Sequence, residues 1–350
     1  KKQQKRRRRK ILLIIEIIVL LLLLGALFVW MKFGMINFND LKNLSMNKLD
    51  DETKDMLEGY TDIAFFGVDN RSNGNYDSGN SDSIMICSIN NDKKKEKIVS
   101  VYRDTVMDVD GKGTYRKCNY AYNHGGAEEA VQMLNRNLDM DIEEYVSVDF
   151  NALVDAVDAV GGVDITITDA EVKYVNAYID EVERVTGTNS SHISAGTQTL
   201  DGVQATAYCR VRYTAGGDFK RASRQRTVIE ALFNKLKGAS PAKYNKLVNA
   251  IFPEIETSLK TSQIISLATA MSDYTISGTA GFPFAMKTGT FGSKGSLDVP
   301  CTLESNTVQL YNYLYGKENY VPSSTLTNIS DGIVKFTGYT AEDAVDYNVK

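Results

Sequence analysis

The sequence predicts an α/β domain behind an apolar N-terminal segment. After residue 60, short strand-like runs alternate with amphipathic helical stretches, the pattern of layered α/β packing. Residues 11–30 read ILLIIEIIVLLLLLGALFVW, long enough as one helix to cross a bilayer. The 350 residues are 43% hydrophobic and 24% charged, a globular composition that excludes wholesale disorder and fibrous repeats.

Residues 1–10, KKQQKRRRRK, hold eight of the 40 basic side chains. The formal net charge of −4 therefore becomes −12 for the rest of the chain. An acidic body does not suit a binder of duplex nucleic acid, so no nucleic-acid partner is expected. The basic block marks the cytoplasmic end of a single span and leaves everything after Trp30 outside, with the lipid bilayer as a partner. Glu16 reads as a tolerated near-edge charge rather than a functional intramembrane carboxylate. The apolar run is longer than a cleaved signal peptide needs and lacks a convincing cleavage site, which favours an uncleaved signal anchor.

Residues 31–57 are polar and mixed, and read as a stalk. Residues 62–68 (DIAFFGV), 83–89 (SIMICSI) and 97–102 (KIVSVY) are apolar runs bounded by turn residues and read as strands. The lysine-rich segment between the last two is a hairpin turn. A helix is expected at 127–137, a strand at 145–148 and an amphipathic helix at 150–160, stopped by Gly161-Gly162. A strand follows at 163–168, and residues 227–275 read as mostly helical. The stretch 319–350 is Ser/Thr-rich, weakly patterned and without an assigned role.

Several familiar motifs are absent or accidental. There is no P-loop, HExxH or GxSxG. Two histidines, His124 and His192, are too few for a zinc site. Ser240-Pro-Ala-Lys243 and Lys287-Thr-Gly289 evoke serine penicillin-binding enzymes, but no SDN lies between them. Asp108-Val-Asp110-Gly111 lacks the remaining ligands of a calcium loop and reads as a turn.

The informative stretch is residues 208–226, YCRVRYTAGGDFKRASRQR, with five arginines and one lysine against a single acid. Alternation puts Arg210 and Arg212 on one face of a strand, with Gly216-Gly217 as the turn and Asp218 capping a helix. On that helix Arg221, Arg224 and Gln225 share a face. Guanidinium forks at a helix start suit phosphate oxygens, so the spacing predicts a di- or polyphosphate site. A solvated basic helix is the plainer alternative. Asp69 follows the first strand, Asp82 precedes the second, and Arg103 and Asp104 follow the third. A hairpin of the second and third strands brings Asp82 beside Arg103, and an antiparallel first strand adds Asp69. Two carboxylates beside phosphates are natural ligands for one Mg²⁺, and Asp104 is left as an acid able to accept a proton.

Eight motifs occur in order over residues 58–318. They are Gly67-Val-Asp69-Asn-Arg71, Ser81-Asp-Ser83, Arg103-Asp-Thr105, Lys117-Cys-Asn119, the run 148–163, Leu200-Asp-Gly202-Val-Gln204-Ala205, Arg210-Val-Arg212-Tyr213 and Asp218-Phe-Lys-Arg221-Ala-Ser-Arg224-Gln225. Together they resemble the LytR-CpsA-Psr (LCP) family of cell-envelope glycopolymer phosphotransferases. The resemblance implies an LCP-type α/β/α sandwich with a central mixed sheet, preceded by one transmembrane helix. It implies transfer of a glycan phosphate from a polyprenyl-diphosphate carrier to a peptidoglycan hydroxyl, anchoring teichoic acid, capsule or a similar wall polymer. Carried over by motif, Arg103, Arg210, Arg212, Arg221, Arg224 and Gln225 would hold the diphosphate with help from Lys117, and Asp69 and Asp82 would hold Mg²⁺, with Mn²⁺ as an alternative. A hydrophobic pocket would take the polyprenyl tail.

This chain departs from the family pattern at Asn80, where arginine is frequent, at Tyr102, where proline is frequent, and at Ser83, where threonine is common. Asn80 puts one phosphate contact in doubt. Within this frame Arg103, Arg210 and Arg212 neutralise charge in phosphoryl transfer and Asp104 orients or deprotonates the incoming hydroxyl. Cys118 and Cys209 flank Lys117 and Arg210, so a Cys118–Cys209 disulfide is expected, with two separately buried thiols as the alternative. A pyrophosphatase at the same site, with water as acceptor, and a non-catalytic envelope regulator are the rival functions.

Overall fold

The structure is a computed structural model and describes residue 27, residues 29–68, residue 76 and residues 79–347. The basic tail, nearly all of the expected span 11–30, and Asp69 lie outside the described residues. Among the described residues no helix is long and apolar enough to cross a membrane.

Thirteen strands are described: β1 (Asn37–Phe38), β2 (Tyr60–Val68), β3 (Ser81–Asn90), β4 (Lys95–Val101), β5 (Val106–Asp108), β6 (Tyr115–Lys117), β7 (Glu144–Val148), β8 (Val163–Ile167), β9 (Gly196–Leu200), β10 (Ile255–Thr257), β11 (Thr275–Phe282), β12 (Met286–Thr290) and β13 (Ser296–Pro300). The helices are α1 (Asp51–Glu58), α2 (Tyr120–Leu138), α3 (Phe150–Val160), α4 (Asp169–Thr186), α5 (Gly202–Arg210), α6 (Gly217–Leu236), α7 (Pro241–Ile251), α8 (Thr261–Thr269), α9 (Leu303–Tyr315) and α10 (Ser324–Thr337). A seven-stranded mixed sheet runs β1-β10-β7-β2-β3-β4-β11. Strand β3 is antiparallel to both β2 and β4, while β7 and β11 add parallel to β2 and β4.

Period-two alternation sorts the sheet's side chains into two layers. Ala64, Phe66, Val68, Ile84, Ile86, Val99 and Val101 point into the main core, where α2, α9 and α10 supply Leu134, Leu138, Leu310, Tyr311, Ile329 and Ile333. The opposite face packs Ile63, Ile89, Leu259 and Tyr274, with Phe65, Cys87, Phe233 and Ile264 only partly buried against them. Helices on both faces of a mixed sheet give the expected α/β layering.

Local chemistry accounts for the helix ends. Asp149 caps α3 by accepting the Ala152 N–H at 3.0 Å, and Gly161, at φ 85°, ends it in the left-handed region. The expected helix at 127–137 starts seven residues earlier and kinks at Gly125 and Gly126. The hairpin of β3 and β4 forms as expected, closing from Asn90 opposite Lys95. Asp108 organises a turn: its carboxylate accepts N–H groups of Gly111 and Gly113.

Three expectations are revised. Arg210 is not on a strand: it ends helix α5, and only Val211 onward is extended. The cause is a capping box, in which Asp201 accepts the Gln204 N–H and Gln204 returns to the Asp201 N–H. Residues 31–57 do not stand clear of the domain. β1 pairs with β10, Lys42 N–H donates to Glu128, and Leu49 is buried. Residues 319–350 include α10, which buries Leu326, Ile329 and Ile333 at helical spacing.

Candidate anion-binding site

The start of β3 and the end of β4 meet at one sheet edge, as antiparallel pairing requires. There Arg103 Nη1 lies 2.7 Å from Asp82 Oδ1. Asp218 and Asp104 lie 3.6 and 3.9 Å from Arg103 Nε. Burial works against the Arg103 charge, but Asp82, Asp218 and Asp104 outweigh it and hold the proton more firmly than usual. The neighbouring Tyr102 fills the position where proline is frequent. A Cβ at Gly281 would stand 2.0 Å from its hydroxyl, so the glycine on β11 is what admits this side chain.

Helix α6 brings the second cation. Its N-cap is Gly216, at φ 88°, rather than Asp218, which sits in the first turn and pairs with Arg221 at 3.1 Å. Arg221 is buried and donates to the Asp82 carbonyl at 3.0 Å, so the helix is tied to the strand that carries the candidate metal ligand. Burial weakens its hold on the proton. Asp218 and Asp82 oppose that, while the like charges of Arg103 and Arg212 add to it. Three guanidiniums therefore lie near enough for the charges of Arg103 and Arg212 to act on Arg221. Arg212 has no hydrogen-bond or carboxylate partner among the described residues. Arg103 Nε and Arg221 Nε are buried donors without a hydrogen-bond partner among the described residues. Orphaned buried donors on adjacent arginines are what an anionic ligand would satisfy.

The hairpin β5–β6 explains the Lys117-Cys-Asn119 motif. Cys118 N–H donates to the Thr105 carbonyl at 2.8 Å and Asn119 N–H to the Arg103 carbonyl at 3.2 Å. These bonds clamp the Arg103–Thr105 backbone and hold Lys117 Nζ 3.0 Å from Asp104 Oδ1. A cavity of about 380 Å³ opens here, lined by Asn80, Asp82, Arg103, Asp104, Lys117 and Lys294 among others. Asn80 thus stands in the wall as a neutral side chain. Sequence reasoning missed Asp218 as a member of this charge cluster, reading it only as a cap.

Two arginines face elsewhere. Arg210 is held by Glu181 at 2.8 Å and lies over the rings of Phe150 and Tyr178. Its Nη1 is a buried donor without a hydrogen-bond partner among the described residues. Arg224 is 2% exposed and spends its donors on Glu171, the Val211 carbonyl and the Thr214 hydroxyl. Gln225 is half-buried one residue further along α6.

The expected Cys118–Cys209 disulfide is not formed. Both thiols are free and buried, in two different apolar clusters. Cys118 points its thiol at the carbonyls of Tyr102 and Arg103, and burial pushes the Cys209 thiol up to about 12. His192 pairs with Asp180 at the surface, and His124 stacks on Tyr120. Ser240 caps α7, and Lys287 pairs with Asp343, so neither penicillin-binding motif assembles.

Among the described residues no three His, Cys, Asp or Glu side chains are grouped to hold a metal. Asp82 supplies carboxylate oxygens at the cavity wall, the hard donors Mg²⁺ takes. That chemistry fits an ion sharing one or two carboxylates with substrate phosphates. It does not by itself make a cage.

Sheet order and the charge cluster together define an α/β protein with a cleft lined by basic and acidic side chains at a sheet edge. The LytR_cpsA_psr family profile matches residues 34–288, and the chain belongs to that family. It is 29% identical over 244 residues to the polyisoprenyl-teichoic acid–peptidoglycan teichoic acid transferase TagV of Bacillus subtilis (strain 168). The match covers 68% of this chain and 60% of TagV, so the chain spans less than two thirds of that relative. The crystal structure of protein gbs0355 from Streptococcus agalactiae has TM-score 0.65 at 26% identity, covering 77% of this chain and 91% of that one. YwtF (TagT) of Bacillus subtilis, with bound octaprenyl pyrophosphate lipid, has TM-score 0.55 at 20% identity, covering 79% and 97%, and shares the fold.

Proposed function

We infer that the chain is a phosphotransferase that moves a glycan phosphate from a polyprenyl-diphosphate carrier to a peptidoglycan hydroxyl, attaching teichoic acid, capsule or a related wall polymer. The supporting observation is that Arg103 in the cleft wall shares Asp82 and Asp218 with Arg221, that Arg212 is near enough for its charge to act on Arg221, and that buried guanidinium donors have no hydrogen-bond partner among the described residues. The family membership and the name carried by TagV point the same way.

In this reading Arg103, Arg212 and Arg221 bind the diphosphate and neutralise the charge that develops in phosphoryl transfer. Arg210 and Arg224 support the neighbouring segment, Arg224 by holding the chain at Val211 and Thr214 that carries Arg212. Asp104, oriented by Lys117 at 3.0 Å, faces the same cavity and is the group to take the proton of the incoming hydroxyl. Asp82, together with Asp69, would hold Mg²⁺ or Mn²⁺, which when bound adds positive charge beside the phosphates. The partly buried side chains Phe65, Cys87, Phe233, Ile264 and Leu267 offer an apolar surface for the polyprenyl tail. The basic block and residues 11–30 anchor the chain in the cell membrane, with the domain outside.

The test is acceptor-dependent transfer by the full chain from a polyprenyl-diphosphate-linked glycan to peptidoglycan. Chelation should stop transfer and added Mg²⁺ restore it. Phosphate release without acceptor would favour hydrolysis, and no turnover of either kind would remove the enzymatic assignment.

A further inference from the structure

Strand β13 lies beyond the family match, yet it carries Asp298, whose backbone is bonded to Asp104. Asp298 donates its N–H to the Asp104 carbonyl at 2.9 Å, and it bridges Thr105 in parallel register. Its carboxyl is 5% exposed and accepts the Thr288 hydroxyl at 3.0 Å from the paired strand β12. No lysine or arginine lies within ion-pair distance of it among the described residues.

We propose that Asp298 is a positioning residue for Asp104: its backbone fixes the Asp104 carbonyl, and its buried carboxyl sets how much negative charge stands behind the Asp104 carboxylate. The proposal rests on Asp104 as the group that receives the hydroxyl proton.

A carboxyl removed from water and set beside another carboxylate resists ionisation. Burial is the larger cause, Asp104 the next, and together with Asp218 they raise Asp298 to about 7 against the opposing Thr288 hydrogen bond and Lys117. The titratable groups facing Asp298 are Asp104 before β5, Lys117 on β6, Asp218 on α6, and Tyr102 and Cys118 flanking the clamp. With Asp298 neutral, Lys117 balances Asp104 alone. With Asp298 ionised, one lysine serves two carboxylates, and Asp104 draws more strongly on a hydroxyl proton. The cleft thereby gains a charge that changes near neutrality although neither histidine lines it.

The deciding variant is Asp298→Asn, which keeps the shape and an oxygen for Thr288. Transfer by the full chain, followed from pH 5.5 to 8.5, is expected to rise through the region near pH 7 in the parent. It should be flat in D298N, with a loss of about tenfold at the alkaline end and little at the acid end. In an Asp104→Asn background, D298N should add no further loss. An unchanged inflection in D298N, or an equal loss at every pH, overturns the proposal. Carboxyl ¹³C resonances provide a second readout that needs no turnover. The Asp298 midpoint should drop in D104N, because a repelling charge is gone; a midpoint that stays put overturns the proposal even where transfer itself is absent.

Discussion

Arg224 and Glu171, 53 residues apart in sequence, form an ion pair of 2.8 Å between two almost wholly buried side chains. The pair joins the start of α4 to the middle of α6, and Arg224 also grips the chain at Val211 and Thr214 just after α5. An arginine that looks like a phosphate ligand in the sequence thus holds the loop that carries Arg212. Replacing Arg224 by alanine leaves a buried carboxylate unpaired and should cost about 3–5 kcal/mol. Thermal unfolding of R224A measures it, and a melting temperature equal to the parent's would contradict the bracing role.

The same pair gives the fold an acid limit. Burial acts to raise Glu171, but two hydrogen bonds from Thr168 and the bond and charge of Arg224 prevail and hold it below its ordinary 4.5. A carboxylate depressed in the folded state contributes stability above its unfolded value and loses it as pH falls through the folded one. Denaturant unfolding should therefore show stability falling below about pH 4.5, with a smaller fall in Glu171→Gln.

Arg212 and Arg210 should separate. Arg212 lacks partners among the described residues, so Arg212→Ala is expected to lower transfer about a hundredfold and leave the melting temperature unmoved. Arg210→Ala also strips Glu181 of its cation and two aromatic rings of their cover. It should reduce both activity and stability. Parent-like transfer by R212A would count against the diphosphate site.

Asp62 works in the opposite sense to Glu171. Burial pushes it up to about 6 despite the nearby Ser88 hydroxyl and the hydrogen bond from Tyr315. The folded protein then holds a proton that the unfolded chain gives up, so stability declines as pH rises from about 4 to 6. Above that range the penalty is about 3 kcal/mol. Asp62→Asn should raise the melting temperature at pH 7.5 and leave it unchanged near pH 3.5. Equal shifts at both pH values would refute it.

The C-terminal stretch straps the arginine helix. Val345 bridges Met286, Asp343 pairs with Lys287 at 3.0 Å, and the Tyr347 ring lies 5.0 Å from Phe219 in the first turn of α6. Tyr347→Ala should loosen that turn by about 1 kcal/mol. Hydrogen exchange of the amides of residues 217–222 should quicken, with a modest fall in transfer. Unaltered exchange would separate the strap from the site.

Much of the site was legible because it lies on a hairpin. Alternation fixed the ends of β3 and β4, so Asp82 and Arg103 had to meet. The Arg210–Arg212 segment misled because period two and a helix end both fit Arg-Val-Arg; Asp201 and Gln204, three apart, were the available signal for the helix. Arg224 could not be assigned from spacing, since its partner Glu171 comes from a separate helix. Asp298 had no local signature: only tertiary packing sets it under Asp104. Helix α10 was hidden by its serines and threonines, although Leu326, Ile329 and Ile333 mark its inner face.

Asp139 has a consequence for how the chain is made. Its carboxylate accepts the Tyr320 hydroxyl at 2.7 Å and the Ser323 N–H and hydroxyl at 2.8 and 2.6 Å, and it also receives Asn47. Those donors come from both ends of the described chain, so the knot can be tied only after nearly all of it has been synthesised. Until residues 320–323 arrive, α2 ends in an acid group with Asn47 as its one partner among these donors, and such a group resists being dehydrated. A nascent chain halted earlier would remain loose around that helix, and closure would come late, in one cooperative step.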